Sequence, residues 1–251
     1  MTLAPIVLSL LFAGAPRAME PAQLQSSLDA ANQLYEQSRL EDAIKAYRSL
    51  LSSAPTNADL QYNLGNAYYR FAQPGSLGLA IACYERAFAL RPRDSDIRHN
   101  LDFALRRAGE SLVPPGMPTA LFALFHIFSL PELAALHWLG FWLACLCACA
   151  FLLLPKRRAA LLKPTLALAA FWAAAGAWWG VRVLAAPDNP GVILIQDAEV
   201  RSGPGESFPV SFKAPEGRLV SILNVNGKWM EIGVLKEGLK GWLSADSVEK
   251  I

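Results

Sequence analysis

A chain of 251 residues with net charge +2 and 18% charged residues offers nucleic acid no strong field, and no nucleic-acid partner is expected. Its 53% hydrophobic content exceeds the usual range for a soluble domain, and the excess sits in residues 133–186 and the first fifteen positions. Four cysteines without C-x-x-C or C-x-x-C-H spacing exclude a disulfide framework.

Residues 1–18 read as a signal peptide: a short apolar run with small residues at Ala13, Gly14, Ala15 and Ala18. No Lys or Arg precedes the run, and Pro16 stands where a small residue is expected, so an uncleaved anchor stays open. Either reading sends the following segment outward.

Residues 19–112 are helical by period and carry an internal repeat. Ala43-x-x-x-Tyr47 then Pro55 recurs as Ala80-x-x-x-Tyr84-x-x-Ala87 then Pro92. Ahead of the second copy lies Tyr62-Asn63-Leu64-Gly65-Asn66-Ala67-Tyr68, and Leu60, Leu64, Ala67, Tyr68 and Phe71 share one apolar face. Ser38 with Glu41 predicts a capping box, and the two prolines predict helix ends. These motifs resemble the tetratricopeptide repeat, with copies at about 24–57 and 58–93 and a capping helix at 95–107. The first copy is degraded, with Ala30, Ala31 and Leu34 in the places of Leu64, Gly65 and Tyr68; the second has roughly three extra residues near Gln73–Ser76. The resemblance implies a concave groove for protein or peptide partners at Asn32, Tyr62, Asn63, Asn66, Tyr69, Arg70, His99, Asn100 and Phe103. Solvation and packing of a small solenoid is the plainer role open to the same residues. Asn32 and Asn63 match two positions of the clamp by which some family members hold a C-terminal carboxylate, whose lysines are absent here. Cys83 reads as apolar filler.

Residues 113–132 begin with Pro114, Pro115, Gly116 and Pro118, a stiff spacer. Phe122, Phe125 and Phe128 then mark a short helix, which either lies at a membrane interface or is buried against the following spans. Ser129-Leu130-Pro131-Glu132 predicts a second capping box. Two apolar runs, 133–154 and 164–186, are each long enough to cross a hydrocarbon core. The turn between them, 155–163, carries Lys156, Arg157, Arg158 and Lys163, which favours the cytoplasmic side. Trp138 and Trp142 on one span and Trp178 and Trp179 on the other predict a shared belt at the outer leaflet. Gly176-x-x-x-Gly180 offers a small face for helix pairing.

Residues 187–251 change to strand period. Asn226-Gly227 predicts a hairpin between 218–225 and 228–234. Arg201-Ser202-Gly203-Pro204-Gly205, Glu216-Gly217, Trp229 and Gly241-Trp242 resemble the bacterial SH3-like barrel, which implies peptide or cell-wall-peptide binding. Trp229 and Trp242 are expected in the core or half-buried, with a shallow groove as the second reading.

The fold class expected is a multidomain membrane protein: an all-α tetratricopeptide solenoid, a two-helix transmembrane hairpin and an all-β SH3-like barrel. That order of modules resembles the E-type membrane proteins of bacterial Bat (aerotolerance) operons. The resemblance implies a scaffold of the inner membrane, two-pass, with both soluble domains on the periplasmic side, acting in envelope or oxidative-stress maintenance. It also implies partners among von Willebrand A-domain membrane proteins linked to a MoxR-type ATPase. A peptidoglycan-binding anchor that recruits a cell-wall hydrolase is the alternative. No nucleophile–base set, paired carboxylates, metal cluster or phosphate loop is visible, so neither enzymatic activity nor a cofactor or metal is expected.

Overall fold

The computed structural model describes residues 20–234 and 237–251, so the expected signal peptide lies outside the described residues. Five helices come first: α1 (Pro21–Glu36), α2 (Leu40–Ser53), α3 (Ala58–Phe71), α4 (Ser76–Leu90) and α5 (Ser95–Arg107). They form two helical hairpins, α1–α2 and α3–α4, with α5 stacked on α4. Helices α2 and α4 stop two residues ahead of Pro55 and Pro92. Asn57 caps α3 by accepting the Leu60 amide, and Asp94 caps α5 by accepting those of Asp96 and Ile97. The capping box expected at Ser38 is not made. Ser38 has φ 60, α2 starts at Leu40 without a side-chain cap, and the Ser38 hydroxyl accepts from Arg70 instead. The left-handed turn carries that hydroxyl away from the helix start.

Gly65 sets the approach of α3 to α4. A Cβ there would stand 2.6 Å from the Tyr84 ring, so only glycine lets the ring lie flat on the α3 backbone. Ala31 holds the equivalent place in the first hairpin and is fully buried.

Helix α4 is buried round most of its circumference, from Gly78 through Ala80, Ile81, Ala82, Cys83 and Tyr84 to Ala87 and Phe88. Such a helix belongs inside a core, not on its surface. The faces not covered by α3 and α5 are covered by residues from beyond the apolar hairpin. Seven strands form one antiparallel sheet: β1 (Pro190–Ile193), β2 (Ala198–Arg201), β3 (Val210–Ala214), β4 (Leu219–Asn226), β5 (Trp229–Val234), β6 (Leu239–Ser244) and β7 (Val248–Lys250). Strands β1 and β7 pack on α4, and Val192 of β1 joins the helical core.

The seam is close and polar contacts close its edge. Glu216 Oε1 accepts the amides of Leu77 at 2.8 Å and Gly78 at 3.1 Å, capping an α4 N-terminus whose own N-cap, Gly75, has no side chain to offer. Arg218 pairs at 3.1 Å with Glu110, whose side chain is 3% exposed. Arg86 pairs with Glu249 at 2.5 Å. Gly78 lets the Ile193 carbonyl reach α4, since a Cβ would meet that oxygen at 2.6 Å. Gly217, at φ +82, fits between Ala108 and Ile81 in the same way.

The proline segment expected as a stiff spacer packs as a strap: Leu112, Val113 and Met117 lie on the helical core, which supplies the burial that holds it. Helix α6 (Thr119–Phe125) follows, and its Phe122 is buried against Phe88 of α4, the rings stacked with centroids 6.3 Å apart. The short helix is therefore anchored on the repeat region, with Leu121 and Leu124 left exposed. The capping box at Ser129 and Glu132 is formed and opens α7 (Leu130–Leu153). Arg93 holds this junction, pairing with Glu132 at 2.6 Å and donating to the Ile127 carbonyl.

The turn between the apolar helices is shorter than expected. A single 3-10 turn, Pro155–Arg157, leads into α8 (Arg158–Ala185), so Arg158 and Lys163 are helical and Pro164 lies inside α8. Arg158 donates to the carbonyls of Phe151 and Leu152 at the end of α7, whose acceptors would otherwise lack partners. Leu130–Leu153, 24 residues, and Pro155–Ala185, 31 residues, are each long and apolar enough to cross a membrane. They pair along their length. Gly176 accommodates the His137 ring, Gly140 lies against Phe171, and Gly180 faces open space, so only the first glycine of that motif serves the pairing. Trp179 lies 5.6 Å from His137 and Trp178 lies 5.7 Å from Phe128, which aligns the aromatic ends of the two helices.

The sheet has its own core, built on Ile193, Val200, Ile232 and Leu243. Its order is β3-β2-β6-β5-β4-β1-β7, so β3 and β7 are its edges and the expected closed barrel is not formed by strand pairing. The predicted hairpin is present one residue later than read: Asn226 pairs with Trp229 across Gly227 and Lys228. Gly203 is required by contact, not by positive φ, because a Cβ would meet the Phe208 ring at 2.5 Å.

Candidate partner-binding site

The first-position helices α1, α3 and α5 carry the nine helical residues singled out by the sequence, and all nine line one of two hollows. One, of about 280 Å³, is lined by Asn66, Tyr69, Arg70, His99, Asn100 and Phe103, together with Tyr35 and Tyr84. The other, of about 390 Å³, holds Asn32, Tyr62 and Asn63 beside Asp59, Asp94 and Asp96.

The asparagines between these hollows are stapled to one another. Asn32 Oδ1 accepts from the Tyr47 hydroxyl at 2.8 Å and from Asn63 Nδ2 at 3.0 Å. Asn66 Oδ1 accepts from the Tyr84 hydroxyl at 2.8 Å and from Asn100 Nδ2 at 2.9 Å. The same three-membered unit thus occurs once per repeat, joining a second helix to two successive first helices. The Tyr–Asn separation is 15 residues in the first copy and 18 in the second, and the Asn–Asn separation is 31 and then 34. Both grow by the three residues inserted in the second turn. Burial pushes the Tyr47 hydroxyl up to about 12 and raises that of Tyr84 as well, so both stay protonated as donors.

The staples reassign part of the expected groove. The carbonyl oxygens of Asn32 and Asn66 are committed internally, and Asn100 Nδ2 is shared with the Tyr62 hydroxyl at 3.0 Å. Among the described residues, Nδ2 of Asn32 and of Asn66 makes no side-chain bond that would commit it as the carbonyl oxygens are committed. The rim is aromatic and cationic. Phe103, 52% exposed, stands edge-on to Tyr69 at 5.7 Å. Arg70 lies over the Tyr35 ring at 4.6 Å, and Arg107 lies over Tyr69 at 5.5 Å while donating to its hydroxyl. Tyr35 and Arg107 escaped the sequence reading. Arg107 follows Phe103 by one helical turn, and that spacing was the available signal.

Trp229 and Trp242 are half-buried, as one of the expected alternatives has it. They lie on the face of β5 and β6 opposite the core, because Met230, Ile232 and Leu243 take the inward positions. In register, Trp229 faces Ser244 and Trp242 faces Glu231. They are not brought together with the helical groove residues. Cys83 is buried and its thiol is pushed up to about 12 by desolvation. Among the described residues no group of three or more His, Cys, Asp or Glu is arranged to hold a metal ion.

One comparison with known proteins, a family profile, bears on the helical region. A family profile described as TPR repeat matches residues 31–71. The chain is 30% identical over 57 residues to "Probable cell wall amidase LytH" of Staphylococcus aureus, a match covering 23% of this chain. It spans only about a fifth of the length of that relative, 20%. Among solved structures, a MamA mutant aligns at 18% identity and TM-score 0.32, covering 36% of this chain and 63% of that one. The first TPR of Spaghetti bound to an HSP90 peptide aligns at 16% identity and TM-score 0.24, covering 38% of this chain and all, 100%, of that one. The chain is thus a helical region with a tetratricopeptide-like repeat, two long apolar helices and a separate antiparallel β-domain.

Proposed function

We propose that this protein is a membrane-anchored scaffold that holds extended segments of partner proteins in its helical groove. The observation that carries this is the placement of all nine expected groove residues in the two hollows on α1, α3 and α5, while the β-domain packs on α4. Solvent-facing tyrosines, a phenylalanine and arginine guanidinium groups supply contact area and directed donors at low entropic cost. We read the β-domain as SH3-like on the strength of its hairpin at Asn226, its Arg201–Gly205 turn and the positions of Trp229 and Trp242 on adjacent strands.

The apolar hairpin is read as crossing the bacterial inner membrane twice, with both soluble parts in the periplasm. The seam supports one element of that topology: α4 touches β1 and β7, which favours placing residues 20–112 and 187–251 on one side. The basic Lys156–Arg158 turn supports the cytoplasm for the other side. The order of modules supports a place among Bat-type envelope proteins, with von Willebrand A-domain partners linked to a MoxR-type ATPase and a part in aerotolerance. The reading is one of binding without catalysis.

Photocrosslinking from Tyr62 in intact membranes tests this. The expected product joins this chain to a second membrane protein with a soluble outer domain. Crosslinks confined to its own α7–α8 hairpin or β-domain would sink the scaffold reading.

The match to a probable cell wall amidase favours a second reading, in which the β-domain grips peptidoglycan and the repeats recruit a hydrolase. Retention of the detergent-solubilised chain on isolated peptidoglycan sacculi is its expected result; free passage through the sacculi ends it.

A further inference from the structure

The helical groove does not stop at the repeat region. A third hollow, of about 230 Å³, opens at the seam, lined by Tyr69, Leu77 and Arg107 from the helices and by Gln196 and Glu216 from the β-domain. Tyr69 lines both this hollow and the one that holds His99 and Phe103, so the two adjoin through a single side chain. Arg107 fixes that side chain from the seam side, donating to its hydroxyl at 2.9 Å. The seam hollow cannot be an incidental gap between loosely tethered domains, because Glu216 is bonded into the first turn of α4 and Val192 belongs to the helical core.

Charge gives the adjoining hollows a direction. Arg70, His99 and Arg107 line them, and the one carboxylate in their lining, Glu216, has Oε1 committed to two amides. The hollow at the other end of the same helices carries Asp59, Asp94 and Asp96. Arg70 and Arg107 are each held by an aromatic ring with guanidinium N–H groups to spare, a geometry suited to carboxylates.

We propose that groove and seam form one composite site, completed by the β-domain, for an extended acidic peptide of a partner protein. The peptide runs from the hollow at His99 and Phe103, over Tyr69, to Gln196 of the β1–β2 loop. This deepens the scaffold reading and rests on it: the two modules act as one receptor, not as two tethered ones.

The test uses the full chain in detergent micelles and a pool of random nine-residue peptides, with affinities of selected peptides measured by fluorescence anisotropy. Selected peptides are expected to be enriched in Asp and Glu. Gln196→Glu is expected to weaken them about threefold and Gln196→Lys to tighten them by a similar factor, as for exposed charge pairs. Gln196 is exposed, so neither change moves the unfolding temperature. Phe103→Ala reports on the helical groove alone. If it weakens binding while both Gln196 variants bind as the parent does, the composite site is overturned and the groove reading stands. Selection without acidic enrichment also overturns the composite site. If no peptide is retained, or no variant changes affinity, both readings fall.

Discussion

Glu216 Oε1 stands 2.8 Å from the amide nitrogen of Leu77, so a residue of the last domain caps a helix of the first. Helix α4 has no cap of its own, since Gly75 occupies its N-cap position with φ +85. Replacing Glu216 by Ala removes the acceptor for two partly buried amides and is expected to cost about 1–2 kcal/mol. For a chain of this size that lowers the unfolding temperature by about 2–8 °C. Thermal unfolding of the micelle-bound protein checks it, and an unchanged midpoint would show that water replaces the carboxylate without loss.

Arg218, 22% exposed, bridges the buried Glu110 of the helical region, 3% exposed, and Glu237 of its own domain. Removing the guanidinium takes a charge partner from the buried Glu110 carboxylate, while removing that carboxylate leaves Arg218 its bond to Glu237. Arg218→Met is expected to destabilise by about 3–5 kcal/mol, whereas the double variant with Glu110→Met recovers most of that loss. Denaturant unfolding of the two single variants and the double variant measures the coupling.

The carboxyl of the partly buried Glu85 is raised to about 7 by desolvation. Its folded pKa lies above the unfolded one, so the folded state binds the extra proton in the interval between them. Stability contributed by this group is therefore present at low pH and is lost as pH rises through about 7. Glu85→Gln is expected to raise the unfolding temperature by a few degrees at pH 8 and to leave it unchanged near pH 4.5. Equal shifts at both pH values would show that the gain is not one of ionisation.

Cys83 lies inside α4 with its thiol pushed up to about 12, so it has neither the access nor the thiolate fraction for reaction. Maleimide labelling of the folded chain is expected to leave Cys83 unmodified at pH 7.5 and to modify it after unfolding in denaturant. Tryptic mapping locates the label, and rapid modification of the native protein would contradict the burial described.

How far the fold was legible depends on whether a residue's partner was near in sequence. The proline ends at Pro55 and Pro92, the cap at Ser129 and the turn at Asn226-Gly227 are local, and the chain places them within two residues. The Ser38 cap was misread because the left-handed turn at φ 60 leaves no mark beyond residue type. The asparagines were found but their staples were not, since Tyr84 and Asn100 reach Asn66 from two other helices. The seam was hidden most completely. Gly78 reads as an ordinary helix position, and only the Ile193 carbonyl from 115 positions onward shows why it has no side chain. One signal was available: seven successive residues from Leu77 to Cys83 carry no charge or polar side chain other than the thiol, more than a surface helix needs.

That burial of α4 has a consequence for biosynthesis. The helix is complete once residue 90 has been made, yet the strands that cover one of its faces are residues 190–193 and 248–250. Between those moments the chain must make the two long apolar helices α7 and α8. Until Ile193, Leu194 and Gly217 arrive, Gly78 and Ile81 lack the neighbours that cover them in the finished chain. Packing of the helical region is thus completed only by strands made after the two apolar helices, so a chain interrupted before β1 leaves this face of α4 uncovered.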